Sequence, residues 1–560
     1  MPLMIMLFMP LLLSLTASCQ KKEAPATTPA TAQNQVPAQP VTVTKEAHLD
    51  ANWYTKDAAD LNQELDEYLE LAIKKNYVEA DPEAVRALVV PHAGLYYSGY
   101  CAATAYQTLL SSKNLFGSDI RNGKIDHVVI LAPDHSGMTF GITLPTYTEY
   151  TTPLGTIPVN LPALEQLKTL KLAKSSAKEH DTEHALEMQL PWLQKTINKF
   201  SITPLLIGNL DEYDVNQIAQ ELKKIITPTT LVVVTTDFTH HGASYRYQIF
   251  NEHITNYLRA LDSAIIETIL KPDLKAFDEI LERTQATVCG KNPLKLLLAL
   301  IAGHHLATAL EGRLCAYYTS AHLKQAREGS ATVNVPDLLG DLADDDAAES
   351  VSYAGLVFTA QHLNELSPEN QLTGFEKQAL LTTARDSIEN ELADDKRIPP
   401  PLLWPLTSPS LNKPQGVFVT LHDQADKLRG CIGRITCLKP LYQTTQDMAI
   451  AAAFKDERFA PLNQKELATT KISITILSQP EKVFALSNIV LGKHGIILNK
   501  FNDDGTLHAS SVFLPQVPVS MKWDLATTLA ELSQKAGLTP EGWREGELQI
   551  FEGYEIKEEA

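Results

Sequence analysis

Between residues 53 and 360, short β-branched apolar runs alternate with helical stretches, and this alternation restricts the region to an α/β domain with a largely parallel sheet. Helices are expected over 60–75, 98–110 and 215–226, the last with Asp214 as its cap, and strands over 86–90, 127–131, 202–207 and 230–235. The runs Ala87-Leu88-Val89-Val90, Val128-Val129-Ile130-Leu131 and Leu231-Val232-Val233-Val234 have no polar alternation, as befits strands buried on both faces. Each leads into ionisable groups: Pro91-His92-Ala93-Gly94, Pro133-Asp134-His135 and Thr236-Asp237-Phe238-Thr239-His240-His241. Open α/β sheets bind ligands at the carboxyl ends of their strands, so the three tips can converge on one cleft. Val288-Cys289-Gly290 adds a thiol, and His92, His135 and Cys289 together suggest a metal site. The plainer alternatives are satisfied polar histidines and, for Cys289, an inert buried thiol.

At 560 residues the chain exceeds one core and predicts about two to four domains. A formal charge of -19 and the lack of a Lys/Arg block exclude a nucleic-acid partner. The apolar run over 3–15, followed by Leu15-Thr16-Ala17-Ser18-Cys19, resembles a bacterial lipoprotein signal. That resemblance implies cleavage after 18, a lipidated Cys19 anchoring an exported protein to a membrane, and, with Gln20 behind it, the outer membrane. No Lys or Arg precedes the run, so a plain secretory signal and a misassigned start remain as alternatives. Residues 19–46, rich in Pro, Ala, Thr and Gln, read as a disordered tether. Five cysteines remain beyond Cys19 with no CxxC pair, so at least one thiol stays free, with Cys289 the candidate; no CxxxCxxC spacing exists for a radical-SAM cluster.

The segment from His180 to Pro191 opens a helix that Asp181 or Thr182 can cap, with His184 and Glu187 on one face. These two residues either support the site from behind or form an acidic first turn that serves the helix dipole. His240 is either a general acid/base or a residue that orients a neighbour, and Tyr96, Tyr97 and Tyr353 are candidates for clamping a substrate. His241, His304 and His305 read as structural.

In the order Trp53-Tyr54, Pro91-His92-Ala93-Gly94, Pro133-Asp134-His135, Glu183-His184-Ala185-Leu186-Glu187, Asp237-Phe238-Thr239-His240, Val288-Cys289-Gly290 and Ser352-Tyr353-Ala354-Gly355, the chain closely resembles the Memo family, AmmeMemoRadiSam system protein B in prokaryotes. The family is similar in fold to class III extradiol dioxygenases, which hold ferrous iron with two His and a Glu and open catechol rings. The resemblance implies a metal held by His92, His135 and Cys289, a Cys standing where those enzymes have Glu, with Asp237 and His240 beside it as catalytic residues. Fe2+ is the expected metal, copper and zinc being the alternatives that a thiolate and an oxidising compartment favour. Two functions follow: a dioxygenase-like enzyme acting on a small molecule, or a non-enzymatic metal-holding scaffold or carrier. The system name implies a radical-SAM partner.

After a polar stretch over 365–373, a helix over 374–393 opens a second domain, and Pro399-Pro400-Pro401 leads to a strand over 416–421 and a hairpin through 423–427. Leu428-Arg429-Gly430-Cys431-Ile432-Gly433, Phe454-Lys455-Asp456-Glu457-Arg458-Phe459, His494-Gly495-Ile496 and Phe513-Leu514-Pro515-Gln516-Val517 resemble the AMMECR domain, AmmeMemoRadiSam system protein A. An α+β fold around an antiparallel sheet is implied. Arg429, Cys431, Lys455, Asp456 and Arg458 are candidates for a small polar pocket; Cys431 is open to three readings, as nucleophile, as part of a ligand-binding surface, or as a packed cysteine between turn glycines. The expected organisation is thus signal 1–18, tether 19–46, a Memo-like metal-binding domain 47–364 and an AMMECR domain 374–560.

Overall fold

The computed structural model of the chain describes residues 41–110, 122–325, 348–360, 371–392 and 410–558, apart from 77, 79, 138, 252, 253, 436 and 503. The expected signal, Cys19, most of the tether, most of the polar stretch after 364 and Pro399 to Pro401 lie outside the described residues. Among those described, no helix is long and apolar enough to cross a membrane.

The first region contains β1 (Thr44–Lys45), β2 (Val85–Val90), β3 (His127–Pro133), β4 (Ile142–Leu144), β5 (Glu149–Thr152), β6 (Gly155–Pro158), β7 (Ala173–Ser175), β8 (Ser201–Ile207), β9 (Thr230–Thr235), β10 (His240–His241), β11 (Glu311–Thr319) and β12 (Ser350–Thr359). A nine-stranded sheet runs β10-β12-β2-β9-β3-β8-β4-β7, with β11 added on β12. The sheet is parallel at its centre, β2-β9-β3-β8, and antiparallel where β12 joins β2 and where β4 joins β8. The central strands are the β-branched runs, buried on both faces. Helix Leu95–Tyr106 packs on β2, β11 and β12, whereas Lys291–Ala302 packs on β3 and β9.

Two helices start three residues earlier than expected, for reasons of capping. Leu95–Tyr106 begins three residues before the expected 98 because its N-cap is Gly94, which offers no side-chain signal. Glu212–Leu222 is capped by Asp211; Asp214 sits at the third helical position and returns a bond to the Asp211 amide, completing a capping box. Thr44–Lys45, within the expected tether, form a strand paired in parallel with Glu149–Tyr150.

The second region is antiparallel. β13 (Val417–His422), β14 (Leu428–Arg434), β15 (Lys471–Leu477), β16 (Glu481–Lys482), β17 (Gly495–Phe501), β18 (Leu507–Phe513), β19 (Glu547–Phe551) and β20 (Gly553–Lys557) form two four-stranded sheets, β14-β13-β15-β20 and β16-β19-β17-β18. Helices Gly374–Leu392 and Leu441–Phe454 pack together and against the first of these sheets. The architecture is an α/β region followed by an α+β region, and one buried apolar cluster runs through both, from Leu49 by way of Leu372 and Phe375 to Ile556.

Candidate metal centre

Because β2, β9 and β3 lie side by side and parallel, their carboxyl ends bring His92, Asp237 and His135 to one place. Cys289 arrives from the turn between helices Leu274–Thr284 and Lys291–Ala302. Gly290 permits the approach: its amide donates to Thr236 Oγ1 at 2.9 Å, and a Cβ at that position would overlap the Thr236 side chain. One ligand atom from each of His92, His135 and Cys289 lies within 4.8 Å of the other two, and Cys289 Sγ is 3.3 Å from His92 Nε2. The Asp237 amide donates to Cys289 Sγ at 3.2 Å, and Asp237 Oδ1 accepts from the His92 amide at 2.9 Å.

The hydrogen bonds behind the rings fix which nitrogens face the cluster. His135 Nδ1 lies 2.8 Å from Glu183 Oε1, and the His135 amide donates to Glu183 Oε2 at 3.0 Å. An ionised carboxylate only accepts, so Nδ1 carries the proton and Nε2 keeps its lone pair. His92 Nδ1 is 2.9 Å from Thr235 Oγ1, which accepts from Gln189 Nε2 at 2.9 Å and lies 3.4 Å from Ala185 O. With the threonine proton directed to that carbonyl, His92 Nδ1 donates and its Nε2 is again free to ligate.

Burial, reinforced by the neighbouring His135, His184 and His240, holds the His92 imidazole far below its usual pKa and therefore neutral. For His135 burial acts the same way but is outweighed by Glu183, so its pKa is raised. Burial and the charge of Asp237 push the Cys289 thiol up.

Sequence reasoning missed Glu183. The expected single helix is broken into Ala177–Thr182, His184–Glu187 and Leu190–Thr196, and Glu183, rather than Asp181 or Thr182, caps the middle piece. His184 stacks on His135 with ring centroids 4.5 Å apart, packs 4.5 Å from Trp53, and is pushed down to about 4 by burial, against the pull of Glu183. With His135 and Glu183 it forms a second group of closely spaced donors. Glu187 turns away from the cluster and is buried among Lys45, His48, Leu49 and Tyr54.

Beside the cluster opens a cavity of about 650 Å³ lined by His184, Asp237 and His240 together with Tyr96, Tyr97 and Tyr353. His240 Nδ1 is 2.9 Å from Phe238 O and 3.0 Å from Thr287 O; carbonyls only accept, so Nδ1 is protonated and Nε2 is left as a proton acceptor.

In the second region the candidate residues only partly gather. The Cys431 amide donates to Asp456 Oδ2 at 2.8 Å, and Arg458 Nε and Nη2 donate to the same carboxylate at 2.9 and 2.7 Å. The Arg458 bonds hold the Asp456 carboxyl well below the usual range. Arg429 is engaged by Glu466 and Ala460 O, whereas Lys455 is exposed at the end of its helix. Gly430 and Gly433 serve packing, since a Cβ on either would overlap Ala452 O or the Phe418 ring.

Fold and cluster together define an α/β protein that presents two imidazoles and a thiol at the tips of a parallel sheet, joined to an antiparallel α+β region. A family model described as Memo-like protein matches residues 45–333, and one described as AMMECR1 matches 381–556. The chain belongs to the Memo-like family and carries an AMMECR1 region after it. Human Protein MEMO1 is 30% identical over 268 residues, 46% of this chain and 84% of that protein. The Caenorhabditis elegans Protein memo-1 homolog is 29% identical over 268 residues, 46% of this chain and 70% of that protein. Among solved structures, an uncharacterized protein from Pyrococcus horikoshii is 34% identical, covering 32% of this chain and 90% of that chain, with a TM-score of 0.27.

Proposed function

We propose that this is a metal-binding protein of the AmmeMemoRadiSam system whose His92, His135 and Cys289 hold a divalent ion, Fe2+ in the first instance, at a dioxygenase-like site. The observation that carries the reading is the donor set itself: two imidazoles with Nδ1 engaged elsewhere and a thiol, all within 4.8 Å. Imidazole suits iron, copper and zinc, and the thiol draws the preference toward the softer ions, so copper or zinc in place of iron is consistent with the same ligands. Three protein ligands leave coordination open, and a bound ion would supply Lewis-acid and, for iron or copper, one-electron chemistry. The chain's own contributions are distinct. Glu183 orients His135, Asp237 holds both the His92 amide, through its carboxylate, and the Cys289 sulfur, through its own amide, and His240 Nε2 takes a proton from a hydroxyl of a small molecule held in the adjoining cavity.

A second reading, a metal-holding scaffold or carrier working with the AMMECR1 region, is favoured by the Cys289 thiol in the donor set, which the resemblance to the dioxygenases sets where those enzymes have a carboxylate. In either case a radical-SAM protein is the proposed partner, and a lipid on Cys19 the proposed tie to a membrane after export. The test is elemental analysis of anaerobically purified protein beside Cys289→Ala and His92→Ala. Near-stoichiometric iron, lost in both variants, with dioxygen uptake on adding catechols, is the expected result. Metal that binds without dioxygen uptake selects the scaffold, and a wild-type protein without metal overturns the site.

A further inference from the structure

The cavity beside the cluster has an unusual balance of charge. Five aromatic side chains line it, Trp53, Tyr96, Tyr97, Tyr245 and Tyr353, and Glu349 adds a carboxylate to its wall. No Lys or Arg occurs among the described lining residues. Tyr96 and Tyr97 meet edge to face at 4.8 Å, and Tyr245 lies 5.2 Å from the His240 ring, so the aromatic surface extends from the rim toward the proton-accepting residue. Glu349 is exposed and is fixed from behind, accepting from the Ser244 amide at 3.2 Å through Oε1.

The faces of aromatic rings carry negative potential, and carboxylates at a pocket wall attract cations while repelling anions. A ligand bearing a carboxylate or phosphate would lose hydration here and meet no Lys or Arg among the described lining residues. A ring with a short side chain, by contrast, fits a cavity of about 650 Å³ and stacks on its lining.

We infer that the cavity takes a small aromatic amine in its cationic form, the ring held among Trp53 and the tyrosines and the ammonium group set against Glu349. The inference specifies the ligand class of the site proposed above. It rests on that reading only for the further detail that ring hydroxyls face the metal ligands; the charge preference is a property of the cavity alone.

The experiment is calorimetric titration of the full-length, chelator-treated protein under anaerobic conditions with three catechols that differ mainly in side-chain charge: dopamine, catechol and 3,4-dihydroxyphenylacetate. Without metal and without turnover, the ranking is independent of whether the centre is an oxygenase or a scaffold. Dopamine should bind about fivefold or more tighter than catechol, the worth of one semi-exposed ion pair with cation–π support, and the carboxylate weakest. Glu349→Gln, which keeps an acceptor for the Ser244 amide, should reduce dopamine to the level of catechol. Tyr97→Leu should weaken dopamine and catechol together. A carboxylate that binds as well as dopamine, a Glu349→Gln variant that keeps the preference, or no binding of any of the three at millimolar concentration would overturn the inference.

Discussion

Glu183 concentrates the chemistry of the centre in one carboxylate. It accepts from His135 Nδ1 at 2.8 Å, from the His135 amide at 3.0 Å and from the Ala185 amide at 2.9 Å, so it sets the tautomer of a proposed ligand while capping the turn that carries His184. Glu183→Gln keeps the shape and an acceptor for the Ala185 amide but removes the charge facing the imidazole. Outer partners of ligating histidines typically contribute ten- to a hundredfold to metal affinity, whereas one altered hydrogen bond costs about 1–2 kcal/mol of stability. The expected variant is folded and binds metal about ten- to a hundredfold more weakly, as measured by competition with a chromophoric chelator. Unchanged affinity would show that Glu183 serves the helix turn alone.

At the scale of elements, the segment preceding the first long helix is held against the centre by Glu187. Its buried carboxylate accepts from the Tyr54 hydroxyl at 2.7 Å and from the His48 and Leu49 amides at 3.1 Å, and pairs with the His48 ring. Lys45 lies 3.8 Å away. The clamp positions Trp53 on His184 and Asn52 beneath Gly94, where a Cβ would overlap the Asn52 carbonyl. Burial alone would raise the Glu187 pKa, but His48, Tyr54 and the Leu49 amide outweigh it, and the pKa is lowered from 4.5. A carboxyl depressed in the folded state stabilises above its unfolded pKa and loses that contribution as the pH falls through the folded value. Release of the clamp therefore requires protonation of Glu187 itself. Trp53 fluorescence, isolated by subtracting a Trp53→Phe control from the five-tryptophan signal, should therefore change below pH 4.5 and not between pH 5 and 7. In Glu187→Gln the released signal should already be present at neutral pH.

These two carboxylates also mark where the sequence stopped being legible. The strands β2, β3 and β9 were readable because parallel strands buried on both faces become uninterrupted β-branched runs, and a residue at the end of such a run needs no tertiary knowledge to be placed at a tip. Glu183 was not, because its capping role depends on a helix of only four residues that periodicity cannot resolve. Glu187 was not, because its partners at His48 and Tyr54 lie 139 and 133 residues away. In the second region, Gly430 and Gly433 signalled a tight backbone correctly, yet only the tertiary packing reveals that Gly430 makes room for Ala452 on the helix behind β14 and Gly433 for the Phe418 ring on the neighbouring β13.

At the scale of the whole molecule, contacts group Val43–Ala560 into one compact unit, and one buried amide side chain bridges the seam between the α/β and α+β regions. Asn76 ends the first long helix, fully buried. Its Nδ2 donates to Cys315 O, freed by the irregularity between Leu314 and Ala316 in β11, and its Oδ1 accepts from the Phe375 amide at 2.7 Å, at the start of the second region. Gly374 allows the close approach, since a Cβ there would press on Asn76 itself. The two bonds span 239 and 299 residues, which is why the polar composition around 365–373 reads as a boundary in sequence while the seam itself carries no local signal. Asn76→Ala strands one buried donor and one buried acceptor, each costing about 1–3 kcal/mol, without removing apolar area from the shared cluster. Cooperativity between regions depends on an interface that is satisfied as well as apolar. The wild-type chain should therefore unfold in one calorimetric transition, and Asn76→Ala should lose about 2–6 kcal/mol and separate into two. A variant that loses stability while keeping one transition would place the coupling in the apolar contacts of Leu372 and Phe375 instead.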